Sequence, residues 1–185
     1  CLSRQAGIVR CCPRGVSIVG ACPPMLTVFK FCTYYLGDLP MKFLHLADLH
    51  LGKRVNGFDL LEDQRYILEQ ILALCDSNKV DAVVLAGDIY DAPVPPASAC
   101  TLLDWFLTQL AARRIAVLAV SGNHDSAERL DYAAGLLANQ NVYIAGQFRG
   151  APRQIVLNDR FGPVEFTLLP LSLIHISEPT RLDVI

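Results

Sequence analysis

Hydrophobic positions become regularly spaced from residue 41 onward, and their spacing predicts alternating strands and helices. Continuous apolar runs predict buried strands at residues 42–47, 82–86, 115–120 and 142–145. Apolar residues that recur about every 3.6 positions predict helices at residues 60–75, 102–110 and about 126–138. Two later apolar stretches, at 154–157 and 164–169, predict a hairpin that closes around residues 158–162.

This alternation predicts an α/β fold. Strands that are apolar along their whole length are buried on both faces, which is typical of parallel sheets built from βαβ units. We therefore expect a largely parallel central sheet that is flanked by helices on both faces. Such sheets bind their ligands beyond the carboxyl ends of the strands.

The overall composition excludes two classes of protein. The chain has 185 residues, of which 52% are hydrophobic and 18% charged, and this excludes an intrinsically disordered chain. No apolar run is long enough to cross a bilayer, so we expect no membrane partner. The net charge is −2 without a block of like charges, so no basic tail indicates nucleic acid. DNA is still compatible as a substrate, because metal ions can supply positive charge at a site.

The first 40 residues differ in composition from the rest. They hold five of the seven cysteines and a formal charge of +3, whereas residues 41–185 carry −5. Scattered arginines and the Pro23-Pro24 pair argue against a secretory signal. An odd number of cysteines without a CxxC pair argues against a zinc site or a closed disulfide framework. We therefore interpret residues 1–40 as a non-native or upstream-translated leader and Met41 as the natural start.

Polar side chains follow three successive predicted strands. Asp48 and His50 follow the first strand, Asp88 the second, and Asn123 and His124 the third. Because the carboxyl ends of parallel strands meet at one edge of a sheet, we expect these side chains to converge. Each residue alone is typical of a turn or a helix cap. Their equivalent positions after three strands favour a functional site.

The chemistry of this group predicts a metal centre. Mixed oxygen and imidazole ligands suit manganese, iron or zinc better than calcium. Asp88 follows a glycine, which lets the backbone turn sharply beside an ion. A carboxylate that bridges two ions is what a two-metal phosphoester hydrolase requires, with water attacking phosphorus. His45 lies within the first predicted strand, and we interpret it as a packed or edge histidine instead.

The three motifs resemble those of the calcineurin-like metallophosphoesterases. The matching residues are Asp48-x-His50, Gly87-Asp88-x-x-Asp91 and Gly122-Asn123-His124-Asp125. Residues 41–52, the prolines within 93–96 and Ser126 are similar to the SbcD family, the nuclease subunits of bacterial SbcCD complexes. The resemblance covers residues 41–170 and implies the fold predicted above.

The resemblance implies a role for each matching residue. Asp48 and His50 would hold the first metal, Asp88 would bridge both metals, and Asn123 would hold the second. His124 is the implied catalytic residue, which contacts the scissile phosphate and assists the leaving oxygen.

Two acidic residues of the motifs stay outside the metal set. Asp91 stands where some relatives carry a histidine, so we do not count it as a ligand. Asp125 is expected to support the ligands through hydrogen bonds.

The resemblance also implies cofactors and partners. Family members use two divalent ions, above all manganese, and cut DNA as double-strand exonucleases and as single-strand or hairpin endonucleases. They act in DNA repair, recombination and replication with a large coiled-coil ATPase of the SbcC type. The implied localisation is cytoplasmic, and the implied full-length protein is an oligomer.

The residues after 170 do not continue the family pattern. Relatives supply further histidines from a later segment, including a Gly-His-x-His motif. Residues 171–185 resemble the translated read-through of a sequencing-library adapter, so we expect an artefactual tail and do not count His175 as a ligand. Residues 41–170 are then the amino-terminal part of a nuclease domain, expected to be inactive alone.

Two other functions remain open. A phosphomonoesterase or cyclic-nucleotide phosphodiesterase of the same superfamily is the alternative, and an inactive binding scaffold is the third interpretation.

Overall fold

The computed structural model describes residues 41–171 and, before them, the backbone of two short strands. The strands are β1 (Arg10–Cys12), β2 (Lys30–Cys32), β3 (Phe43–Leu46), β4 (Arg54–Val55), β5 (Phe58–Asp59), β6 (Ala82–Ala86), β7 (Ala116–Val120), β8 (Val142–Ala145), β9 (Arg153–Asp159) and β10 (Gly162–Leu168). The helices are α1 (Leu61–Asn78), α2 (Ala97–Ala112), α3 (Ala127–Leu130), α4 (Ala134–Leu137) and the 3₁₀ turn Ala138–Gln140.

A five-stranded sheet forms the centre of the fold. Its order is β2-β3-β6-β7-β8, in which β2 runs antiparallel to β3 and the other neighbours are parallel. Every residue of β6 and β7 is buried, as their continuous apolar sequences predict. The predicted α/β class with a largely parallel sheet is therefore confirmed.

Helices α1 and α2 cover one face of this sheet. The buried residues of α1 are Leu68, Ile71, Leu72 and Cys75, whose spacing places them on one side of a helix. They share a core with Phe106 of α2 and with the sheet residues that point toward the helices. Burying each such leucine or phenylalanine stabilises the fold by about 1.5–3 kcal/mol.

A hairpin covers the opposite face of the sheet. β9 and β10 pair antiparallel, as the sequence predicts. Ile155, Phe166 and Leu168 pack in one cluster with Val84 and Leu118 of the central sheet. Among the described residues this face is covered by the hairpin, so the expectation of helices on both faces is wrong there. The reason is that alternate residues of β10 are apolar, which gives the hairpin an apolar side of its own.

The single helix predicted at 126–138 is wrong in detail. The chain forms α3, α4 and a 3₁₀ turn, with a break at residues 131–133. The Asp131 carboxylate accepts hydrogen bonds from the backbone N–H groups of Gly146 and Gln147, at 2.7 and 3.2 Å. Ala133 has a left-handed backbone with φ of 60°, which a continuous helix does not allow. Hydrogen bonds from Asp131 to a distant segment of the chain therefore interrupt a sequence whose local pattern predicts one helix.

The apolar pattern of the sequence does not predict the small hairpin of β4 and β5. Asn56 and Gly57 form its turn, with φ values of 51° and 85°. Positive φ at both central residues is the requirement of a type I′ turn, for which Asn-Gly is the preferred sequence. Strands of two residues are too short to show an alternating pattern.

The leader contributes two strands to the described backbone. β1 pairs antiparallel with β10, and β2 pairs antiparallel with β3. The other residues of 1–40, and residues 172–185 with His175, lie outside the described part of the chain. The interpretation of 1–40 as a leader, of 41–170 as part of a nuclease domain and of 171–185 as a tail therefore stays a prediction. Of the helices described, none has the length and apolar character needed to cross a membrane.

Candidate metal centre

The chain turns sharply after β3, at the carboxyl edge of the sheet. Asp48 and His50 have left-handed backbones, with φ of 57° and 45°. Asp88, two residues beyond the end of β6, has φ of 48°. For a residue with a side chain this conformation costs about 1–2 kcal/mol, so it persists only where the surroundings hold it. Three candidate ligands thus share a strained backbone, which is typical of functional sites.

Backbone hydrogen bonds join the first two loops. The N–H groups of Asp48 and His50 donate to the carbonyl oxygens of Gly87 and Asp88, at 3.2 and 2.9 Å. The N–H group of Leu51 donates to Ile89 at 2.9 Å. The two ligand-bearing loops therefore run side by side and are joined by hydrogen bonds.

Asp88 lies between the second and third loops. Its side chain is buried, and Oδ1 accepts a hydrogen bond from the backbone N–H of His124 at 2.9 Å. A Cβ atom on Gly122 would collide with both the carboxylate and the backbone nitrogen of Asp88. Residue 122 must therefore be glycine for the two loops to approach this closely.

The predicted convergence of Asp48, His50 and Asp88 is observed. One possible ligand atom of each residue lies within 4.8 Å of the other two. Asp48 is exposed at the surface, but partial burial of its carboxyl group raises its pKa above the usual value of 3.8, and the nearby carboxylate of Asp88 raises it further. A cation held between two such carboxylates would offset their repulsion.

A second group shares His50. It consists of His50, Asp91 and His124, whose ligand atoms also lie within 4.8 Å of one another. The two imidazole rings meet edge to face, with centroids 4.9 Å apart. Asp91, which the sequence analysis left outside the metal set, therefore belongs to the site. The signal that could have found it was the second acidic residue of the Gly87-Asp88-x-x-Asp91 motif.

One buried atom tests whether this site fits a metal ion. Nδ1 of His50 lies 3.2 Å from Asp91 Oδ1, yet it is buried and makes no hydrogen bond with the described residues. A buried polar atom left without a partner costs about 1–3 kcal/mol. Metal coordination at this imidazole would remove that cost, and the surrounding carboxylates supply the charge that a divalent cation prefers. The residues present therefore fit a metal centre.

The third loop carries Asn123 and His124. Asn123 is exposed and is held between two anchored neighbours, because Gly122 N–H donates to Asp125 and His124 N–H donates to Asp88. Nδ1 of His124 lies 2.9 Å from the backbone oxygen of Asp91. The His124 side chain is partly exposed, so its ring is accessible to a substrate.

Asp125 ties the second and third loops together. Its carboxylate accepts hydrogen bonds from the N–H groups of Ile89, Tyr90 and Gly122, at 3.1, 2.8 and 2.9 Å. Hydrogen bonds to an ionised acceptor are stronger than those between neutral groups. Asp125 therefore supports the ligand loops, in agreement with the expectation.

His45 is a member of neither group. It lies in β3, half-buried, with Val84 as its parallel neighbour. This placement agrees with the interpretation of His45 as a packed or edge histidine.

Comparison with known proteins supports the same interpretation of the site. Residues 41–183 match the family described as calcineurin-like phosphoesterase. The SbcD subunit of the SbcCD nuclease of Staphylococcus epidermidis is 38% identical over 135 residues, which is 72% of this chain and 35% of that protein. The chain thus spans about a third of the length of this relative. The family match continues past residue 170, into the segment that the sequence analysis assigns to a tail.

Proposed function

Since this chain belongs to the calcineurin-like phosphoesterase family, we propose that it is part of a metal-dependent nuclease subunit that hydrolyses phosphodiester bonds in DNA. The observation that carries the proposal is the convergence of Asp48, His50 and Asp88 within 4.8 Å at the carboxyl edge of the sheet. The likeness to an SbcD subunit supports DNA as the substrate class.

Each residue of the predicted metal set has a role in this proposal. Asp48 and His50 would hold one divalent ion, Asp88 would bridge two, and Asn123 would hold the second. The mixed carboxylate, imidazole and amide donors suit manganese, iron or zinc. Of these, manganese is the proposed metal, because the resemblance to the SbcD family implies it. Such ions activate water and stabilise the negative charge that develops on the phosphate oxygens.

His124 is the proposed catalytic residue. Its ring is accessible and fixed at Nδ1 by the backbone oxygen of Asp91. Nε2 is then the atom that exchanges a proton with the leaving oxygen of the substrate. This assignment agrees with general acid catalysis by a positioned imidazole.

The biological setting belongs to the proposal as well. We assign the intact protein a role in DNA repair, recombination and replication, as double-strand exonuclease and single-strand or hairpin endonuclease. An SbcC-type coiled-coil ATPase is the proposed partner, in keeping with the name of the relative as a subunit of SbcCD.

The experiment compares four substrates on the intact protein in the presence of manganese. They are linear duplex DNA, a DNA hairpin, bis-p-nitrophenyl phosphate and p-nitrophenyl phosphate. We expect cleavage of both DNAs and of the diester, loss of cleavage in EDTA, and little hydrolysis of the monoester. Preferential hydrolysis of the monoester would instead identify a phosphomonoesterase. Hydrolysis of the synthetic diester without cleavage of either DNA would favour a phosphodiesterase of small substrates, such as a cyclic-nucleotide phosphodiesterase.

A further inference from the structure

Gln64 lies in the first turn of α1 and reaches back to the loop that carries His50. Its Oε1 accepts a hydrogen bond from the N–H of Gly52 at 3.0 Å. Its Nε2 donates to the carbonyl oxygen of His50 at 2.7 Å and approaches that of Leu49 at 3.4 Å. One side chain on a helix therefore holds three parts of this loop.

The backbone partners determine the orientation of the Gln64 amide. Two carbonyl oxygens need a donor and one N–H group needs an acceptor, so only one of the two amide orientations satisfies all three. A carboxylate would accept from Gly52 but could not donate to His50. Asparagine has the same amide group but is one methylene shorter. Glutamine is thus the side chain that combines donor, acceptor and reach at this position.

The contact acts on a strained residue. His50 has φ of 45°, and its own N–H is bound to Asp88 at 2.9 Å. Its carbonyl oxygen accepts from Gln64 and from the N–H of Lys53, at 2.7 and 3.1 Å. Both peptide groups that flank the His50 side chain are therefore anchored. A left-handed conformation of this kind persists only where such contacts hold it.

We propose that Gln64 is a positioning residue of the metal centre, which holds His50 in its ligating conformation through the 49–52 backbone. This inference rests on the proposed function, because it assumes that His50 binds a metal ion. Gln64 is not itself a ligand, since both ends of its amide are engaged by the backbone. Residues that orient metal ligands typically change metal affinity by about 10–100-fold when they are replaced.

The test compares Gln64→Met with Gln70→Met in the chain as it stands. Methionine has a similar length and shape but makes neither hydrogen bond, and Gln70 is an exposed glutamine on the same helix. Manganese is titrated into each protein by calorimetry after removal of bound metal. We expect Gln64→Met to raise the Kd by about tenfold or more and Gln70→Met to leave it unchanged.

A second readout needs no metal. Amide hydrogen exchange, measured by NMR, should become faster at Gly52 in Gln64→Met, whereas Leu51 stays protected by its bond to Ile89. A purely structural role would instead lower Tm and leave the manganese Kd unchanged. Gln64→Asn is the second variant if Gln64→Met does not fold, and it should also weaken manganese binding because its amide cannot reach the loop.

The outcomes separate this inference from the proposed function. If the parent chain binds manganese and both Gln64 variants bind it equally well, the positioning role is overturned and the proposed function stands. If the parent chain binds no manganese, the proposed function fails and the inference fails with it. If the parent chain binds manganese and only the Gln64 variants bind it more weakly, the result supports both the positioning role and the proposed function.

Discussion

Nδ1 of His124 lies 2.9 Å from the backbone carbonyl oxygen of Asp91. A carbonyl oxygen only accepts hydrogen bonds, so Nδ1 must carry the proton. Nε2 of the neutral ring then has a free lone pair, and in the charged ring it carries the proton that can be released. Asp91 thus contacts His50 through its carboxylate and sets the tautomer of His124 through its backbone oxygen.

His124→Ala should separate catalysis from metal binding. In the intact protein we expect the rate constant of DNA cleavage to fall by about 10²–10⁴-fold, because general acid catalysis is lost. The manganese Kd should stay close to that of the parent, since the proposed role of His124 lies on the phosphate. Single-turnover kinetics and calorimetry measure the two quantities. A loss of manganese binding would make His124 a ligand, and unchanged cleavage would remove it from catalysis.

Gly122→Ala should disrupt the contact between the second and third loops. The added Cβ would collide with Asp88, so we expect a loss of about 2 kcal/mol or more in the free energy of unfolding, together with weaker manganese binding. Gly135→Ala is the matched control, because nothing lies within 4 Å of the new Cβ and the residue is helical. It should stabilise the protein by up to about 1 kcal/mol. Equal effects of the two substitutions in urea unfolding would contradict the account.

The raised pKa of Asp48 predicts how stability changes with pH when metal is absent. A carboxyl group whose pKa is higher in the folded state favours folding when protonated, and this contribution is lost as pH rises from its ordinary value of 3.8 through the raised pKa. In EDTA, the Tm of Asp48→Asn relative to that of the parent should therefore increase as the pH is raised from acid to neutral. Thermal scans over this pH range test it. Parallel pH profiles of parent and variant would show that the Asp48 carboxylate carries no such penalty.

Asp125→Asn should cost more stability than the same change at Asp81. Both carboxylate oxygens of Asp125 accept backbone hydrogen bonds, and an amide can replace only one of them. Asp81 accepts a hydrogen bond from the N–H of Lys42 at 2.8 Å, which an asparagine oxygen can keep. We expect a loss of about 2 kcal/mol for Asp125→Asn and little change for Asp81→Asn in urea unfolding. Equal losses would mean that Asp125 does not hold the loops.

The sequence predicted the central sheet and the ends of its strands because continuous apolar runs followed by polar residues are local signals. Asp48, Asp88 and Asn123 could be identified for this reason. It did not predict that the hairpin, and not a helix, covers the second face in the described residues, since periodicity shows that a side is apolar without showing which face it covers.

Other features depend on contacts between distant residues. Asp131 interrupts the predicted third helix through Gly146 and Gln147, which local propensity cannot show. Gln64 is one of several polar residues in α1, and its role appears only when the helix lies against the 49–52 loop. Asp91 was visible in the sequence, but its contact with His50 required the fold.

The central claim is that Asp88 anchors a divalent metal centre at the carboxyl edge of the sheet. The most direct measurement is calorimetric titration of manganese into the parent chain, into Asp88→Asn and into Asp81→Asn. Asp81 directly precedes β6, at the end of the strand away from the site, and asparagine at position 88 can still accept the hydrogen bond from His124. We predict that Asp88→Asn weakens binding by about 100-fold or more, whereas Asp81→Asn binds like the parent. Equal manganese affinity in all three proteins would contradict the account.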